Sequence, residues 1–410
     1  MLYASCFFFP RLILSLSKEQ GKWPRQRSMG GKASRLRPGL IMTLLVALAA
    51  CTAKAPQVTP WLDSNPEHLS QWGMVSVRGG ALVLGQGGIP YDLNTPLFTD
   101  AAHKLRVLWM PPGKSAQYRT GAALDFPVGT VIAKTFYYPK NSDGVLLRNT
   151  DYAADFAGQG LNMRHVHLIE TRILVHRPRG WAALPYIWDA AQKDAVLERT
   201  GGLQRLHVQK PDGSGQDFAY IVPNANQCAG CHAANAISRA ISPLGPKARH
   251  LNKPYAYAGG AQNQLVHLAR LGKLSGFPGP DKAPRNADWL DKSAPLNARA
   301  RAYLDINCGH CHNPSGAAST SAFYLDQAGH DYPPGNSGVC KPPVAAGQGT
   351  GGHLFDIVPG DAADSIVIFR MKSTNPGVMM PELGRSTVDE DGVKLISAWI
   401  NAMPGACATG

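Results

Sequence analysis

The sequence lacks the features that mark several common functional classes. Its 410 residues contain no internal repeat, no long low-complexity tract, no Ser/His/Asp set, no phosphate-binding loop and no paired carboxylates at a catalytic spacing. Acidic residues are scarce, with 28 Asp and Glu against 41 Lys and Arg. Eight of the basic residues and one acidic residue lie in residues 1–50, so the rest of the chain has 33 basic and 27 acidic residues. That mild excess, without a basic stripe interleaved with aromatic residues, argues against nucleic-acid binding.

The apolar run at residues 40–50 is too short for an ordinary membrane span. Lys32, Arg35 and Arg37 precede it, and small residues lead directly into Cys51. This pattern resembles a bacterial lipoprotein signal in which Cys51 receives lipid. A plain secretory signal and a short membrane anchor are the alternatives. We therefore expect an outer-membrane lipoprotein that faces the periplasm, or a periplasmic or cell-surface protein, attached to the membrane through its lipid.

Cysteine is also sparse, and an exported chain has a role for nearly every one of its eight copies. Cys51 would carry lipid, and four cysteines lie in two short motifs. Cys340 and Cys407 are left over, and leftover cysteines of exported proteins usually pair. We predict a disulfide between them; two free thiols are the alternative.

The hydrophobic pattern predicts an α+β multidomain chain. Strand-like runs of β-branched and aromatic residues at 130–138 and 167–176 indicate an antiparallel, sandwich-like domain. After it, helical periodicity at 296–306 and 393–403 predicts mainly α-helical modules. The expected divisions are a leader at 1–50, a tether at 51–88, the β-rich domain at 89–225, a first module with a linker at 226–294, and a C-terminal module at 295–410.

Two C-x-x-C-H motifs carry the chemistry. They consist of Cys228, Cys231 and His232, and of Cys308, Cys311 and His312. In this pattern two thiols bind the vinyl groups of one porphyrin, and the adjacent imidazole binds its iron. A redox-active C-x-x-C would need a βαβ context, which neither motif has, and zinc would need a fourth ligand. The motifs therefore predict two covalently bound haem c groups.

The C-terminal motif can be interpreted further. The order of helix, C-x-x-C-H, long loop, Met380-Pro381 and final helix resembles a class I cytochrome c. That resemblance implies Met380 as the sixth iron ligand, and a soft sulfur ligand raises the reduction potential. Met379 and Met371 are rivals. The same resemblance implies that the Pro314 carbonyl accepts a hydrogen bond from the His312 imidazole.

The sixth ligand at the first motif is open in the sequence. No methionine occurs between His232 and Asn307, so a local ligand would be His250 or His267. The iron could instead take a ligand from the β-rich domain or keep an open position. Candidates in that domain are Met163, His165, His167 and His207. His165 and His167 could also share a strand face, although no third metal ligand accompanies them.

Six stretches carry a wider resemblance. They are 91–98, 222–228, 244–249, 303–314, 357–361 and 379–384. Through them the mature chain resembles a family of bacterial diheme c-type cytochrome lipoproteins. The resemblance implies two haems and electron transfer, and it identifies no substrate. Our leading expectation is an electron carrier that exchanges electrons with a redox partner protein, rather than an enzyme. The rivals are a diheme peroxidase-like enzyme, an electron-accepting subunit of a periplasmic dehydrogenase, and a copper- or sugar-binding role for the β-rich domain.

Overall fold

The computed structural model describes residues 55–151, 160–233, 235, 237–327, 332–344 and 347–408. The predicted leader and Cys51 lie outside these residues. The strands are β1 (Val75–Arg78), β2 (Ala81–Leu84), β3 (Ile89–Tyr91), β4 (His103–Trp109), β5 (Ala116–Gln117), β6 (Val131–Pro139), β7 (Leu146–Leu147), β8 (Leu161–Asn162), β9 (Val166–Arg177), β10 (Gly180–Trp188), β11 (Ala195–Leu197), β12 (Gly202–Gln209), β13 (Gly215–Val222), β14 (Pro254–Tyr257), β15 (Gly260–Asn263) and β16 (Leu274–Ser275).

The helices of the described residues are short. They are α1 (Ala225–His232), α2 (Ala248–Leu251), α3 (Gln264–Arg270), α4 (Leu296–Asn307), α5 (Ile366–Lys372) and α6 (Glu390–Asn401). Four 3-10 turns accompany them, at Leu69–Trp72, Ser319–Ser321, Pro334–Asn336 and Gly347–Thr350.

A six-stranded antiparallel sheet in the order β11-β10-β9-β6-β4-β3 forms the centre of the fold. Strand β6 is buried along almost its whole length, as expected for a strand covered on both faces. Val131 on one face packs with Trp72 of the first 3-10 turn. Ile132 on the opposite face packs with Leu265 of α3. The β-rich part therefore has an antiparallel sheet between two apolar layers.

The predicted divisions at 51–88 and at 225/226 do not separate cores. Residues of the expected tether form β1 and β2, and Leu69, Trp72 and Met74 are fully buried. Strand β16, which lies after the predicted boundary, pairs in parallel with β5. Contacts between Cα atoms group Lys54–Gly410 into one unit.

The predicted fold class is wrong for the second half of the chain. The described residues contain more strand than helix, 28% against 19%, and they do not form clearly helical cytochrome c modules. Three strands, β14, β15 and β16, lie within 226–294. Between α4 and α5 the described residues form only 3-10 turns and isolated bridges. Proline and glycine are frequent there, and they interrupt helical hydrogen bonding.

Helices α4 and α6 pack closely at one glycine. A Cβ on Gly392 would lie 2.2 Å from the Tyr303 hydroxyl oxygen, so only glycine permits this approach. The Tyr303 hydroxyl donates to Asp389 Oδ2 at 2.9 Å, and Asp389 Oδ1 caps α6 by accepting from Gly392 N. These contacts fix α4, the helix that leads into the second motif, against α6.

Asp305 on α4 is the most highly connected buried carboxylate among these elements. It accepts two hydrogen bonds of 2.8 Å from Arg249 and one of 2.8 Å from His250, both on α2. Asn286 and the Gln327 backbone also donate to it, each at 2.9 Å. Burial alone would raise the pKa of Asp305, but the bonds from Arg249 and His250 hold it well below its usual range. The ionised carboxylate thus joins α2 to α4.

We expect Asp305→Asn to lower the free energy of unfolding by about 3–5 kcal/mol at neutral pH, because Arg249 would remain buried without its partner. The carboxyl titrates at lower pH in the folded chain than in the unfolded chain. Its stabilising contribution is therefore present at neutral pH and is lost as the pH falls below about 4. Urea unfolding at several pH values measures both effects.

Asp391→Asn is the matched control, because Asp391 pairs with Lys394 on the exposed face of α6. This surface change should stay within about 0.5 kcal/mol of the parent. An Asp305→Asn protein as stable as the parent at neutral pH would contradict the assigned role.

Candidate cofactor site

The first motif lies on α1. Asn224 caps this helix, since its Oδ1 accepts from Gln227 N at 2.8 Å while Gln227 Oε1 accepts from Asn224 N at 3.0 Å. Residues three apart in a helix share a face, so Cys228 and Cys231 lie on the same side of α1. Cys228 is buried and Cys231 is half-buried. The local sequence therefore places both thiols beside His232.

The His232 imidazole has a fixed tautomer. Its Nδ1 lies 2.9 Å from the Ser242 carbonyl oxygen, which can only accept, so Nδ1 carries the proton. Nε2 makes no hydrogen bond with the described residues and holds its lone pair. Burial, reinforced by Lys134, lowers the pKa of His232 to about 4. A neutral imidazole with a free Nε2 is the form that binds metal ions.

The second motif follows α4 in a tight turn. A Cβ on Gly309 would lie 2.7 Å from the Asp305 carbonyl oxygen and 2.7 Å from Asp326 Cα, so this position admits only glycine. The turn brings Cys308 and Cys311, both half-buried, to the end of α4.

His312 repeats the arrangement of His232. Its Nδ1 donates to the Phe323 carbonyl at 3.0 Å, which leaves Nε2 without a hydrogen bond among the described residues. The predicted acceptor, the Pro314 carbonyl, is therefore wrong, because the chain returns at Phe323 and provides the carbonyl there. The rings of His312 and Phe323 also meet edge to face, with centroids 5.4 Å apart.

The four motif thiols are free, and burial raises the pKa of each. For Cys308 and Cys311 the value reaches about 12. Redox-active C-x-x-C pairs instead depend on a lowered thiol pKa. Two free thiols and one neutral imidazole at each motif fit covalent attachment of a haem, and the residues could hold one such group at each motif.

A large cleft surrounds the first motif. It encloses about 1480 Å³ of space between protein atoms, including its open mouth. Its walls include Cys228, Cys231 and His232 of α1, residues of the central sheet, and His310 of the second motif.

One wall of the cleft is cationic. Lys104, Arg106, Lys134 and Arg172 extend from β4, β6 and β9 into it, and cross-strand register places Lys134 between Arg106 and Arg172. The ring of Phe136 lies beneath them, with Arg172 Cζ 4.3 Å and Lys134 Nζ 5.0 Å from its centroid.

Two of these cationic side chains form ion pairs with carboxylates. Arg172 pairs with the buried Glu170, and Arg106 pairs with Asp92. The ammonium groups of Lys134 and of Lys247, another residue of the cleft wall, make no hydrogen bond or ion pair in the part of the chain that the structure describes. Burial, with smaller effects of Arg172 and Arg106, lowers the pKa of Lys134 to about 7. The cleft wall can therefore accept anionic groups.

Met380 lies in a second, smaller cavity. Cys308, Met371 and Met380 line it, whereas Met379 is buried outside it. The structure thus brings Met380 to a thiol of the second motif, but His312 is not among the residues that line this cavity. Arg385 donates to the Met380 carbonyl at 2.9 Å and holds the loop in place.

The two cavities share a wall. Phe98, Asn307 and Pro381 line both of them. The Phe98 backbone N–H donates to Asn307 Oδ1 at 2.8 Å. The Met380 loop also touches α1, where a Cβ on Gly230 would lie 2.8 Å from Leu383 Cδ1. The two motifs, distant in sequence, therefore lie beside neighbouring spaces.

The two predicted local ligands for the first motif are otherwise engaged. His250 lines the cleft, but its Nε2 is bonded to Asp305. His267 does not line the cleft; its ring stacks on Tyr257 with centroids 3.6 Å apart, and its Nδ1 lies 2.9 Å from Gln262 Oε1.

The candidate ligands of the β-rich part lie elsewhere as well. Met163 packs against the apolar layer that contains Trp72. His165 is exposed, and His207 pairs with Asp217 at 2.8 Å. Among the described residues, no group of three or more His, Cys, Asp or Glu side chains could hold a metal ion. His165 and His167 thus have no third ligand of these types there.

Cys340 and Cys407 are joined by a disulfide with a Cα–Cα distance of 5.2 Å. It connects the loop after the second motif to the segment that follows α6.

Sequence reasoning missed His310 and the cationic wall. His310 occupies a variable position of the second motif, yet its side chain lines the cleft of the first. Its Nδ1 is buried without a hydrogen-bond partner. Burial, reinforced by Lys247, lowers the pKa of His310 to about 4. The only sequence signals for the wall were lysines and arginines inside otherwise apolar strands.

Comparison with protein-family models, with curated proteins and with solved structures gives no match for this chain. Within the described residues, none of the helices has the length and apolar character needed to cross a bilayer.

We expect Gly309→Ala to lower the free energy of unfolding by about 1–3 kcal/mol, because the added methyl group would contact backbone atoms that cannot move aside. Gly259→Ala is the control, since a Cβ there meets nothing within 4 Å. That variant should stay within about 1 kcal/mol of the parent. Thermal or urea unfolding compares the two, and equal stabilities would refute the close packing at Gly309.

Proposed function

We propose that the chain is a c-type cytochrome that carries two covalently attached haems and transfers electrons. One repeated observation carries the proposal. At each motif, two free thiols accompany an imidazole whose Nδ1–H donates to a backbone carbonyl, Ser242 for His232 and Phe323 for His312. A hydrogen bond from the ring nitrogen that does not bind iron orients the histidine and makes it a better ligand.

Haem iron supplies a reversible one-electron couple at each motif when the groups are bound. The four motif thiols would provide the covalent attachment, and the Nε2 atoms of His232 and His312 would provide the proximal ligands. Lys134 and Lys247 would neutralise propionate carboxylates at the first motif, because they lack carboxylate partners among the described residues. The apolar residues around Tyr303 would limit access of water at the second motif.

Met380 would act as the sixth ligand at the second motif. Its position in one cavity with Cys308 supports this assignment over Met379, which lies outside that cavity. Met371 also lines the cavity, but it belongs to the hydrophobic core of the C-terminal helices.

We place the protein at the outer membrane facing the periplasm, attached through lipid on Cys51. The disulfide between Cys340 and Cys407 supports an oxidising compartment. Cys231 and Cys311 are half-buried, so a redox partner protein could approach the edge of each cofactor. The partial exposure of both attachment sites supports a carrier that exchanges electrons with another protein.

Protein matured in a host with c-type cytochrome assembly should exceed the mass of its processed polypeptide by two haems. Cys228→Ser/Cys231→Ser and Cys308→Ser/Cys311→Ser should each remove one haem, measured by intact mass and by the pyridine haemochrome spectrum. Cys340→Ser/Cys407→Ser is the control; it should keep both haems while losing about 2–5 kcal/mol of stability. A colourless parent protein would end the proposal.

Met380→Ala should lower the reduction potential of one haem and abolish the sulfur-to-iron charge-transfer band, because a methionine ligand raises the potential. Met379→Ala is the matched control and should leave both signals unchanged. Redox titration followed by absorption spectroscopy makes the comparison. Loss of the band in Met379→Ala but not in Met380→Ala would reverse the assignment.

A further inference from the structure

We infer that His310 is the sixth ligand of the iron held by the first motif, an inference that rests on the proposed function. His310 belongs to the second motif, between Cys308 and Cys311, and no feature of the C-x-x-C-H pattern requires histidine there. The structure nevertheless directs this side chain into the cleft that contains Cys228, Cys231 and His232.

Three imidazoles line the cleft, and they have different partners. His232 follows the two thiols directly and is the proximal candidate. His250 is bonded through Nε2 to Asp305, which also pairs with Arg249. His310 has a buried Nδ1 that makes no hydrogen bond of good geometry, and its one polar neighbour is the Ile306 backbone, which acts to raise the pKa of the ring. A buried polar atom without a partner is costly unless a ligand satisfies it, and iron is such a ligand.

Methionine is missing from the described residues that line this cleft. The remaining lining side chains that could donate a lone pair to iron are Tyr91 and the lysines. Burial raises the pKa of Tyr91 to about 12, which disfavours its tyrosinate form. Lys104 donates to the Ala102 carbonyl at 2.9 Å, and Lys134 lies over the Phe136 ring. Lysine must lose a proton before it binds a metal, whereas imidazole binds in its neutral form. The geometry therefore favours His310, and the two lysines without a partner in the described part of the chain, Lys134 and Lys247, are the rivals to exclude.

This assignment would link the two cofactors through the chain. The residue next to His310 is Cys311, one of the two attachment points of the second motif. A single pentapeptide would then provide the proximal ligand and both thioethers of one cofactor and the distal ligand of the other.

The test uses full-length, matured protein with His310→Ala, which keeps the second C-x-x-C-H motif intact. Intact mass and the pyridine haemochrome spectrum should still report two haems. Low-temperature electron paramagnetic resonance should change from two low-spin signals to one low-spin and one high-spin signal. Added imidazole should restore the lost low-spin signal.

Three variants complete the design. His267→Ala is the matched control and should leave both low-spin signals in place. Met380→Ala should affect the other haem, so combining it with His310→Ala should yield two high-spin signals. Should His310→Ala fail to fold, His310→Met should keep both haems low-spin and add a second sulfur-to-iron charge-transfer band.

Each outcome decides the inference. Two attached haems that both remain low-spin in His310→Ala would overturn it while leaving the proposed function intact. Conversion to high spin in Lys134→Ala or in Lys247→Ala, with His310→Ala unchanged, would assign the position to that lysine. Absence of the additional sulfur band in a folded His310→Met protein would also overturn it. Fewer than two haems in the parent would defeat the proposed function and this inference together.

Discussion

The Asp305 carboxylate is the constraint on which the site depends. It gathers Arg249 and His250 from α2, and it lies on α4 directly before the turn of the second motif. By engaging His250, it removes one imidazole from those free to act in the cleft. By anchoring α4, it also fixes where Cys308 and His310 can lie. One buried ionic network therefore holds the helix before the second motif in place and occupies Nε2 of one histidine in the cleft of the first.

Much of the chemistry was predictable because short motifs encode local geometry. The spacing of Cys228, Cys231 and His232 defines a helical face, and the capping residues Asn224 and Gln227 start that helix at the required point. The predicted strand at 130–138 and the helix at 296–306 also match β6 and α4 to within one residue at each end. These elements follow from the periodicity of neighbouring residues, which the sequence displays directly.

The remaining features depend on contacts between distant residues. The cationic wall forms because strand register aligns Arg106, Lys134 and Arg172, and no local pattern specifies that register. The expected helical modules did not appear, because proline and glycine between α4 and α5 favour turns over helix. His310 was overlooked for a related reason, since its surroundings come from parts of the chain far from its own motif.

The wall formed by Phe98, Asn307 and Pro381 belongs to both cavities at once. A substitution at any of these positions changes the boundary of each space, so neither can be reshaped there without disturbing its neighbour. Over evolutionary time, such a shared wall would restrict sequence change. Substitutions at these three positions would have to suit both cavities at once, whereas a residue that lines only one cavity has to suit that cavity alone.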